Sequence, residues 1–469
     1  MITDTQTRTQ LWAHQERAVE FAEDKPGVCL AMDMGTGKSA VAVTLAQTWE
    51  CRCVLVLCPK SVVGVWPREF LKHAGDDFEI LPLIKGTTAD KGHKAARFLD
   101  RCEIKRKPAV VVINYESAWR EPFRTFALNT ADFDLLILDE CHRIKAPGGR
   151  ASRFCSELGK VVGKRLGLTG TPMPHSPLDI YAQFRTIQPS VFGYSFAKFK
   201  NRYAVTTGPN GTWVDPKQIR NPEELCRKFA SISFQVTKEE ALTLPEETHI
   251  NIPVELEPSA FKQYVAMEKH FYLWMEEQAA EVTAANVLVK LLRLQQMTSG
   301  FVADDNGTIQ RVSEIKQKTL IDLLSDTPEE RPVVVFCKFV KDLDAVSEVA
   351  RNLGRNYGEI SGRRKDLTDH AAMPENIQVI GVQIQAGGVG IDLTRASIAI
   401  YYSIGFSLGD YLQSLARLHR PGQRHPVTFF HLIAQGTVDE KVFKALQDRQ
   451  EVVSNILKGG TNGNARNSG

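Results

Sequence analysis

Short, almost uninterrupted apolar runs punctuate the whole chain. In the first half they are VCLAM (28–32), CVLVLC (53–58), AVVVIN (109–114), LLIL (135–138) and RLGLT (165–169). In the second half they are VVVFC (333–337), IQVIGV (377–382), IAIYY (398–402) and VTFFHLI (427–433). This pattern constrains the fold more than any other feature. A run that is apolar at nearly every position, not at every second one, is satisfied only when both faces of its strand are covered. The intervals are long enough for a helix to cross over and return, so the runs predict parallel strands in open α/β sheets. Between about 175 and 330 the texture changes. FKQYVAMEKHFYLWMEEQAAEV and NVLVKLLRLQQM space their apolar residues by three and four, as amphipathic helices do. The organisation predicted is a first lobe over 1–240 with a helical segment from about 175, a second over 241–457 with a helical segment at about 255–330, and a Gly/Asn-rich disordered tail, 458–469.

The bulk numbers bound the function classes. A chain of 469 residues has room for several domains, at about 100–200 residues each. Basic residues number 58 and acidic ones 55, a net charge of +3, so any phosphate-binding surface must be local. The start, MITDTQTRTQ, lacks the basic and apolar stretches of a secretory signal. No apolar run approaches the ~18 residues that span a bilayer. The cysteine count is 9, an odd number with no CxxC pair, and several lie inside strand-like runs. That usage predicts reduced thiols in a cytoplasmic protein, with neither a disulfide framework nor a zinc site.

Three stretches carry chemistry. In AMDMGTGKSAVAV (31–43) a strand runs into Gly35-Thr36-Gly37-Lys38-Ser39 and a helix follows. Glycines let backbone N–H groups wrap a phosphate chain, and the helix N-terminus adds positive potential. Lys38 would reach the β- and γ-phosphates of ATP, and Ser39 would help hold Mg2+. Met32 stands where the first glycine of such a loop is usual. In LLILDECH (135–142) two carboxylates sit side by side at the end of an apolar run, where they repel unless a cation offsets them. After a phosphate-binding loop, Asp139 suits a Mg2+ ligand and Glu140 suits the group that orients and activates the attacking water. In SLGDYLQSLARLHRPGQ (407–423), a helix over 410–420 would set Gln413, Arg417 and Arg420 on one face, and Pro421-Gly422 would end it. Two arginines there suit stabilisation of a transferring phosphoryl group; the bland alternative is a solvated basic face.

These three stretches, in this order, resemble the superfamily-two helicases, and finer details resemble their Swi/Snf-like branch of double-stranded DNA translocases. LWAHQERAVEFA (11–22) is similar to the adenine-sensing Q motif, with Gln15 as its glutamine, and MDMGTGKS is similar to that branch's DEMGLGKT. CPKSVVGVWPREF (58–70) resembles motif Ia, INYES (113–117) motif Ib, DECH a DEAH-type motif II and LTGTP (168–172) motif III. QAGGVGIDLTRA (385–396) resembles motif V and QSLARLHRPGQ (413–423) motif VI, while IYAQFRTIQPSVFG (180–193) and LLRLQQMTSGF (291–301) are similar to that branch's linking segments. The resemblance implies an α/β fold of two RecA-like parallel-sheet lobes with helical insertions between them. It implies ATP and Mg2+ as cofactors, with Gln15, Gly35, Thr36, Gly37, Lys38, Ser39, Gly390 and Gln413 at the nucleotide and the lobes closing over it. It implies duplex DNA as the partner, its phosphates held through Lys60, Ser61, Trp66, Asn114, Tyr115, Gly387 and Gly388. His142, Thr169 and Thr171 would link the nucleotide to that grip.

Several positions depart from the branch's pattern: Val65 before Trp66, Pro174-His175-Ser176 after motif III, Gln385 in place of a basic residue and Asp392 in place of Asn. These touch DNA contact and coupling more than hydrolysis. Outside the motifs, FAKFKNRY (196–203) interleaves aromatics with Lys198, Lys200 and Arg202, and SGRRKD (361–366) clusters Arg363, Arg364 and Lys365. Each could hold phosphates or be a solvated face. The expected activity is a DNA-stimulated ATP hydrolase that moves along or remodels duplex DNA. A strand-separating helicase, an ATP-gated clamp acting with a protein partner and, more remotely, a small-molecule kinase are the alternatives. The compact length suggests a bare motor of bacterial or phage type, working in the cytosol of the bacterium or its host.

Overall fold

The computed structural model describes residues 10–207, 213–277, 284–303, 308–367, 372–386 and 391–464. The chain forms two compact units: residues up to Thr243 together with those from Arg449 on, and Leu244–Asp448.

The strands of the first unit are β1 (Gly27–Met32), β2 (Cys53–Cys58), β3 (Glu79–Pro82), β4 (Ala109–Asn114), β5 (Leu135–Asp139), β6 (Lys164–Leu168), β7 (Ala204–Thr207), β8 (Trp213–Ile219) and β9 (Ser233–Val236). One parallel sheet runs β3-β4-β2-β5-β6-β1-β9, and β7 and β8 pair separately as an antiparallel hairpin. Both faces are covered, as the continuous apolar runs require. Leu55 and Leu57 of β2 pack with Phe98, Phe123, Phe154 and Phe184 on one side. Val54, Val56 and Cys58 pack on the other with Val41, Leu45, Trp66 and Phe70. Burying each such side chain stabilises by about 1.5–3 kcal/mol, which is why these strands tolerate no polar face. Helices α1 (Ala13–Ala22), α2 (Lys38–Thr48), α3 (Trp66–Ala74) and α4 (Thr88–Ile104) are among those that cover the sheet.

Because the strands run the same way, their carboxyl ends share one edge. Along it the neighbours are the ends of β4 (Asn114), β2 (Cys58), β5 (Asp139), β6 (Leu168) and β1 (Met32). This is the edge at which open α/β sheets bind ligands.

The second unit contains β10 (Glu247–Val254), β11 (Phe301–Ala303), β12 (Ile309–Arg311), β13 (Val333–Cys337), β14 (Tyr357–Ile360), β15 (Val379–Gln383), β16 (Ile398–Tyr401) and β17 (Val427–Ala434). Its parallel sheet runs β10-β17-β16-β13-β15-β14, and β11 and β12 form a hairpin. The amphipathic stretches are the helices Pro258–Glu277 and Ala284–Thr298. The architecture is thus two RecA-like parallel-sheet lobes with helical insertions. The last helix spans Val438–Asn464 and so takes in most of the stretch whose composition reads as disordered. Extending a helix already formed costs far less than starting one. Residues 465–469 lie outside the described part. Among the described residues no helix is long and apolar enough to cross a membrane.

One buried polar group makes the second unit sensitive to acid. His431 is fully buried, stacks on Tyr401 at 4.9 Å between ring centroids and meets the Tyr411 hydroxyl at 3.0 Å. Burial, helped by the nearby His249, pushes its pKa down to about 3. The unfolded chain takes up this proton near pH 6.5 and the folded chain does not. Stability from this group is therefore present above pH 6.5 and is lost as pH falls toward 3. Between pH 7 and 5 the loss is about 1–2 kcal/mol. Thermal denaturation of His431→Gln is expected to show a shallower decline over that range than the parent; equal slopes would remove His431 as the cause.

Candidate functional site

The first chemical stretch becomes a left-handed turn between β1 and α2. Gly35 and Gly37 have φ of 86° and 84°. At Gly37 a Cβ would also stand 2.1 Å from Gln15 Nε2, so strain and contact both demand glycine. Gln15, buried on α1, donates to the Thr36 carbonyl at 3.1 Å and accepts the Trp12 N–H at 2.9 Å. His14 Nε2, which sequence reasoning passed over, meets the same carbonyl at 2.8 Å. Its signal was its place beside Gln15. The Thr36 hydroxyl donates to the Asp33 carbonyl at 2.7 Å. Lys38 Nζ lies across the loop, donating to the Met32 and Asp33 carbonyls at 2.9 and 3.1 Å. Ser39 sits half-buried in the first turn of α2.

Asp139 ends β5, and Glu140 follows in the left-handed region with φ 52° and ψ 53°. That backbone is costly for a residue other than glycine and turns the second carboxylate away from the line of the strand. Burial first, and the Glu140 charge second, hold Asp139 above the ordinary carboxylate range, against the Trp66 hydrogen bond and Lys38. Burial lowers the Lys38 ammonium, and Glu140, Asp33 and Asp139 oppose that drop. His142 Nδ1 lies 3.3 Å from Glu140 Oε2 and 3.1 Å from the Thr169 hydroxyl, which in turn accepts the Thr171 N–H at 3.0 Å. The motif II and motif III segments are thus joined through His142. Gln183 also ties them: it accepts the Cys141 thiol at 3.1 Å and donates to the Pro172 carbonyl at 2.7 Å.

Three residues expected to face nucleic acid are in the interior instead. Trp66 is 1% exposed, Tyr115 2% and Asn114 5%, so none presents a face for a base or phosphate. The Trp66 indole N–H donates to Asp139 Oδ2 at 3.1 Å, and the Tyr115 hydroxyl donates to the Asp139 carbonyl at 2.9 Å. Asn114 accepts the buried Lys91 ammonium at 3.3 Å and donates to Glu116 at 2.9 Å. Lys60 is exposed and Ser61 half-exposed on the turn after β2. Gly387, Gly388 and Gly390 lie outside the described residues.

The helix expected over 410–420 spans only Leu408–Leu415, so Arg417 and Arg420 do not share a helical face with Gln413. Three contacts end it early. The Arg417 carbonyl accepts the Leu393 N–H at 3.2 Å, and Leu418 is fully buried. The His419 ring bridges the Pro245 carbonyl at 2.8 Å and Glu247 at 2.5 Å. Pro421 further disfavours helix at the residue before it. Tertiary contacts thus override the local pattern, and Arg420 reaches the Ile391 carbonyl at 3.5 Å.

Much of the two basic clusters is committed to the fold, while Lys198 stays exposed. Phe199 and Tyr203 belong to the core of the first unit, and Arg202 pairs with Glu224 at 2.5 Å. Arg363 pairs with Glu359 at 2.8 Å and Asp344 at 2.7 Å, and Arg364 pairs with Asp366 at 2.7 Å.

A model of the SNF2-related domain matches residues 12–300. The chain belongs to the SNF2-related family. A model of the helicase conserved C-terminal domain matches residues 315–422 of this SNF2-related chain. A Caenorhabditis elegans homologue of the SWI/SNF-related matrix-associated actin-dependent regulator of chromatin subfamily A-like protein 1 is 27% identical, over 97% of the chain and 63% of that protein. The mouse DNA annealing helicase and endonuclease ZRANB3 is 25% identical, over 96% of the chain and 41% of its own length. The solved Sulfolobus solfataricus SWI2/SNF2 ATPase core in complex with double-stranded DNA is 20% identical, with a TM-score of 0.43 over 96% of this chain and 97% of that one. The chain spans about half the length of the curated relatives it matches.

The packing of Gln15 on Gly37 makes a steric prediction. Gly37→Ala is expected to destabilise the first unit by about 1–3 kcal/mol, from left-handed strain and displacement of Gln15. Adding Gln15→Ala should recover the steric part alone. Chemical denaturation of the single and double variants measures the coupling, and purely additive losses would contradict it.

Proposed function

We propose that the chain hydrolyses ATP when stimulated by duplex DNA and couples that hydrolysis to movement along, or remodelling of, the duplex. The observation that carries this reading is the carboxyl edge of the first sheet. There the glycine turn with Lys38, the Asp139–Glu140 pair and the Lys60–Ser61 turn follow strands in one parallel sheet. The relatives' names support the substrate, since they speak of DNA annealing and of DNA repair and recombination.

The roles follow from the chemistry. The loop N–H groups and Lys38 bind the phosphates, and Gln15 braces the loop from behind. Glu140 takes the proton of the attacking water, with His142 beside it to hold its orientation. Arg417 and Arg420 supply positive charge during phosphoryl transfer, and Gln413 and Gly390 join the nucleotide contacts. The donors suit Mg2+: Asp139 and Ser39 offer oxygen ligands only, and this ion usually takes the rest from phosphates and water. Among the described residues no group of three or more His, Cys, Asp or Glu side chains could cage a metal. A buried carboxylate held protonation-prone beside another is the arrangement a divalent cation would relieve. When bound, Mg2+ would neutralise charge on the phosphates. Lys60, Ser61, Gly387 and Gly388 are the DNA backbone contacts in this reading, in keeping with sequence-independent binding. The described cysteines are all free thiols, which suits a reducing cytoplasm.

Steady-state hydrolysis with no nucleic acid, single-stranded DNA, duplex DNA and RNA tests the reading. Strongest stimulation by duplex is expected, with Glu140→Gln lowering the rate by about 10²–10⁴-fold. Preference for single strands or RNA would indicate strand separation, and no stimulation would indicate a partner-gated clamp. Arg420→Ala is expected to keep nucleotide affinity while stimulated turnover falls by about 10³-fold or more. Unchanged turnover would remove Arg420 from phosphoryl transfer.

A further inference from the structure

Two buried aromatics hold one residue, Asp139, by its side chain and by its main chain. Trp66 opens α3 with three residues between it and the turn Lys60–Val62, and its indole N–H reaches Asp139 Oδ2 at 3.1 Å. Tyr115 follows Asn114 at the end of β4, and its hydroxyl reaches the Asp139 backbone carbonyl at 2.9 Å. One grip fixes the side chain and the other fixes the main chain. Neither residue can stack on a base, since both are 2% exposed or less. Yet Trp66 is a few residues from a candidate phosphate contact, and Tyr115 adjoins a buried polar pair. Trp66 is joined to Lys60 and Ser61 by one short turn. Tyr115 adjoins Asn114, which holds Lys91, and Lys91 also donates to the Ser117 hydroxyl at 3.0 Å.

Asp139 needs such support. Its two grips approach from β2 and β4, on the side of β5 away from β6 and the glycine turn. A hydrogen bond to a buried carboxylate fixes which oxygen stays free for another partner, here the oxygen other than Oδ2. A shift of the Lys60–Val62 turn would move the start of α3, and with it the donor on Asp139.

We propose that Trp66 is a positioning residue that passes contact with a phosphate backbone at the Lys60–Ser61 turn to the Asp139 side chain, while Tyr115 holds the Asp139 main chain against that movement, together setting how the carboxylate receives Mg2+. This rests on the functional reading above and deepens it. Trp66→Phe keeps the ring and removes one donor; Tyr115→Phe does the same for the second.

The test is equilibrium binding of ADP with and without Mg2+, beside duplex-DNA affinity and duplex-stimulated hydrolysis. A hydrogen bond to a charged partner predicts that the gain in ADP affinity given by Mg2+ shrinks about tenfold in W66F, with metal-free ADP affinity as in the parent. Duplex affinity should stay within about twofold, while stimulated turnover falls by about tenfold. The W66F/Y115F double variant should lose less than the product of the single losses, because both act on one residue. Retained thermal stability of Y115F separates positioning from folding, should W66F prove unstable. The proposal is overturned if both variants keep the Mg2+ gain and the stimulation. It is also overturned if duplex affinity falls in step with turnover, which would return Trp66 to direct DNA contact. If the parent itself shows no stimulation by duplex, the functional reading fails, while the Mg2+ titration still reports on Trp66 and Asp139.

Discussion

Holding two adjacent, half-buried carboxylates at the end of an apolar strand is the constraint around which the first unit is arranged. Asp139 and Glu140 lose water and repel each other, and either effect alone favours neutralising one of them. The fold answers with geometry more than with charge. The left-handed backbone at Glu140 rotates the two side chains apart. Trp66 and Tyr115 fix Asp139 with neutral donors, and His142 stands beside Glu140. Lys38 adds positive potential while its ammonium is spent on loop carbonyls. Trp66 and Tyr115 are neutral donors, so they fix Asp139 without cancelling its charge as an ion pair would. A site that keeps negative potential in reserve is suited to receiving a cation along with a phosphate chain.

Parallel topology then decides which segments can cooperate. Residues near 14, 37, 60, 115, 139 and 169 are remote in sequence, yet the order β4-β2-β5-β6-β1 sets the ends of their strands side by side. The carboxylates follow a strand in the middle of that series. On one side lie the segments that contact the glycine turn, and on the other lie the Lys60–Ser61 turn and the Lys91–Asn114 pair. From either side only one or two packed elements separate these segments from Asp139, and close-packed strands leave little slack between them.

The interior of both sheets was legible in the sequence and their edges were not. The apolar runs coincide with β1, β2, β4, β5 and β6 in one sheet and with β13, β15, β16 and β17 in the other, which are all the interior strands. Within the two parallel sheets, the strands that passed unnoticed, β3, β9, β10 and β14, are the four edges; the β7–β8 and β11–β12 hairpins passed unnoticed too. An edge strand is partly solvated and need not be apolar throughout. ETHINIPV is mostly exposed, and EILP closes on a proline that an edge tolerates. The same logic separates the site residues. The places of Gly35, Gly37, Lys38 and Asp139 were readable because a left-handed turn, a helix start and a strand end are dictated locally. Trp66 and Tyr115 were placed at the nucleic acid through the resemblance of their segments to motifs Ia and Ib. Their inward direction depends on a strand 24 or more residues away in sequence. Arg417 and Arg420 were given a helix that buried Leu418 and the His419 bridge do not allow.

The basic clusters show why charge counting misleads in a nearly neutral chain. Aromatics between lysines in 196–203 suggested stacking on bases, but Phe199 and Tyr203 anchor that helix to the core and leave only its cationic side outward. Arg363 and Arg364 already have carboxylate partners. Binding a phosphate backbone releases counterions only from protein charges that were not already paired, so arginines neutralised in place add little affinity. Lys60 differs in kind, being exposed at a strand end beside a buried network that leads to Asp139. In the proposed mechanism a backbone contact there does more than hold DNA, because Trp66 links the segment after that turn to Asp139. In a chain with so small a net charge, what matters is where a phosphate is gripped and what that grip displaces.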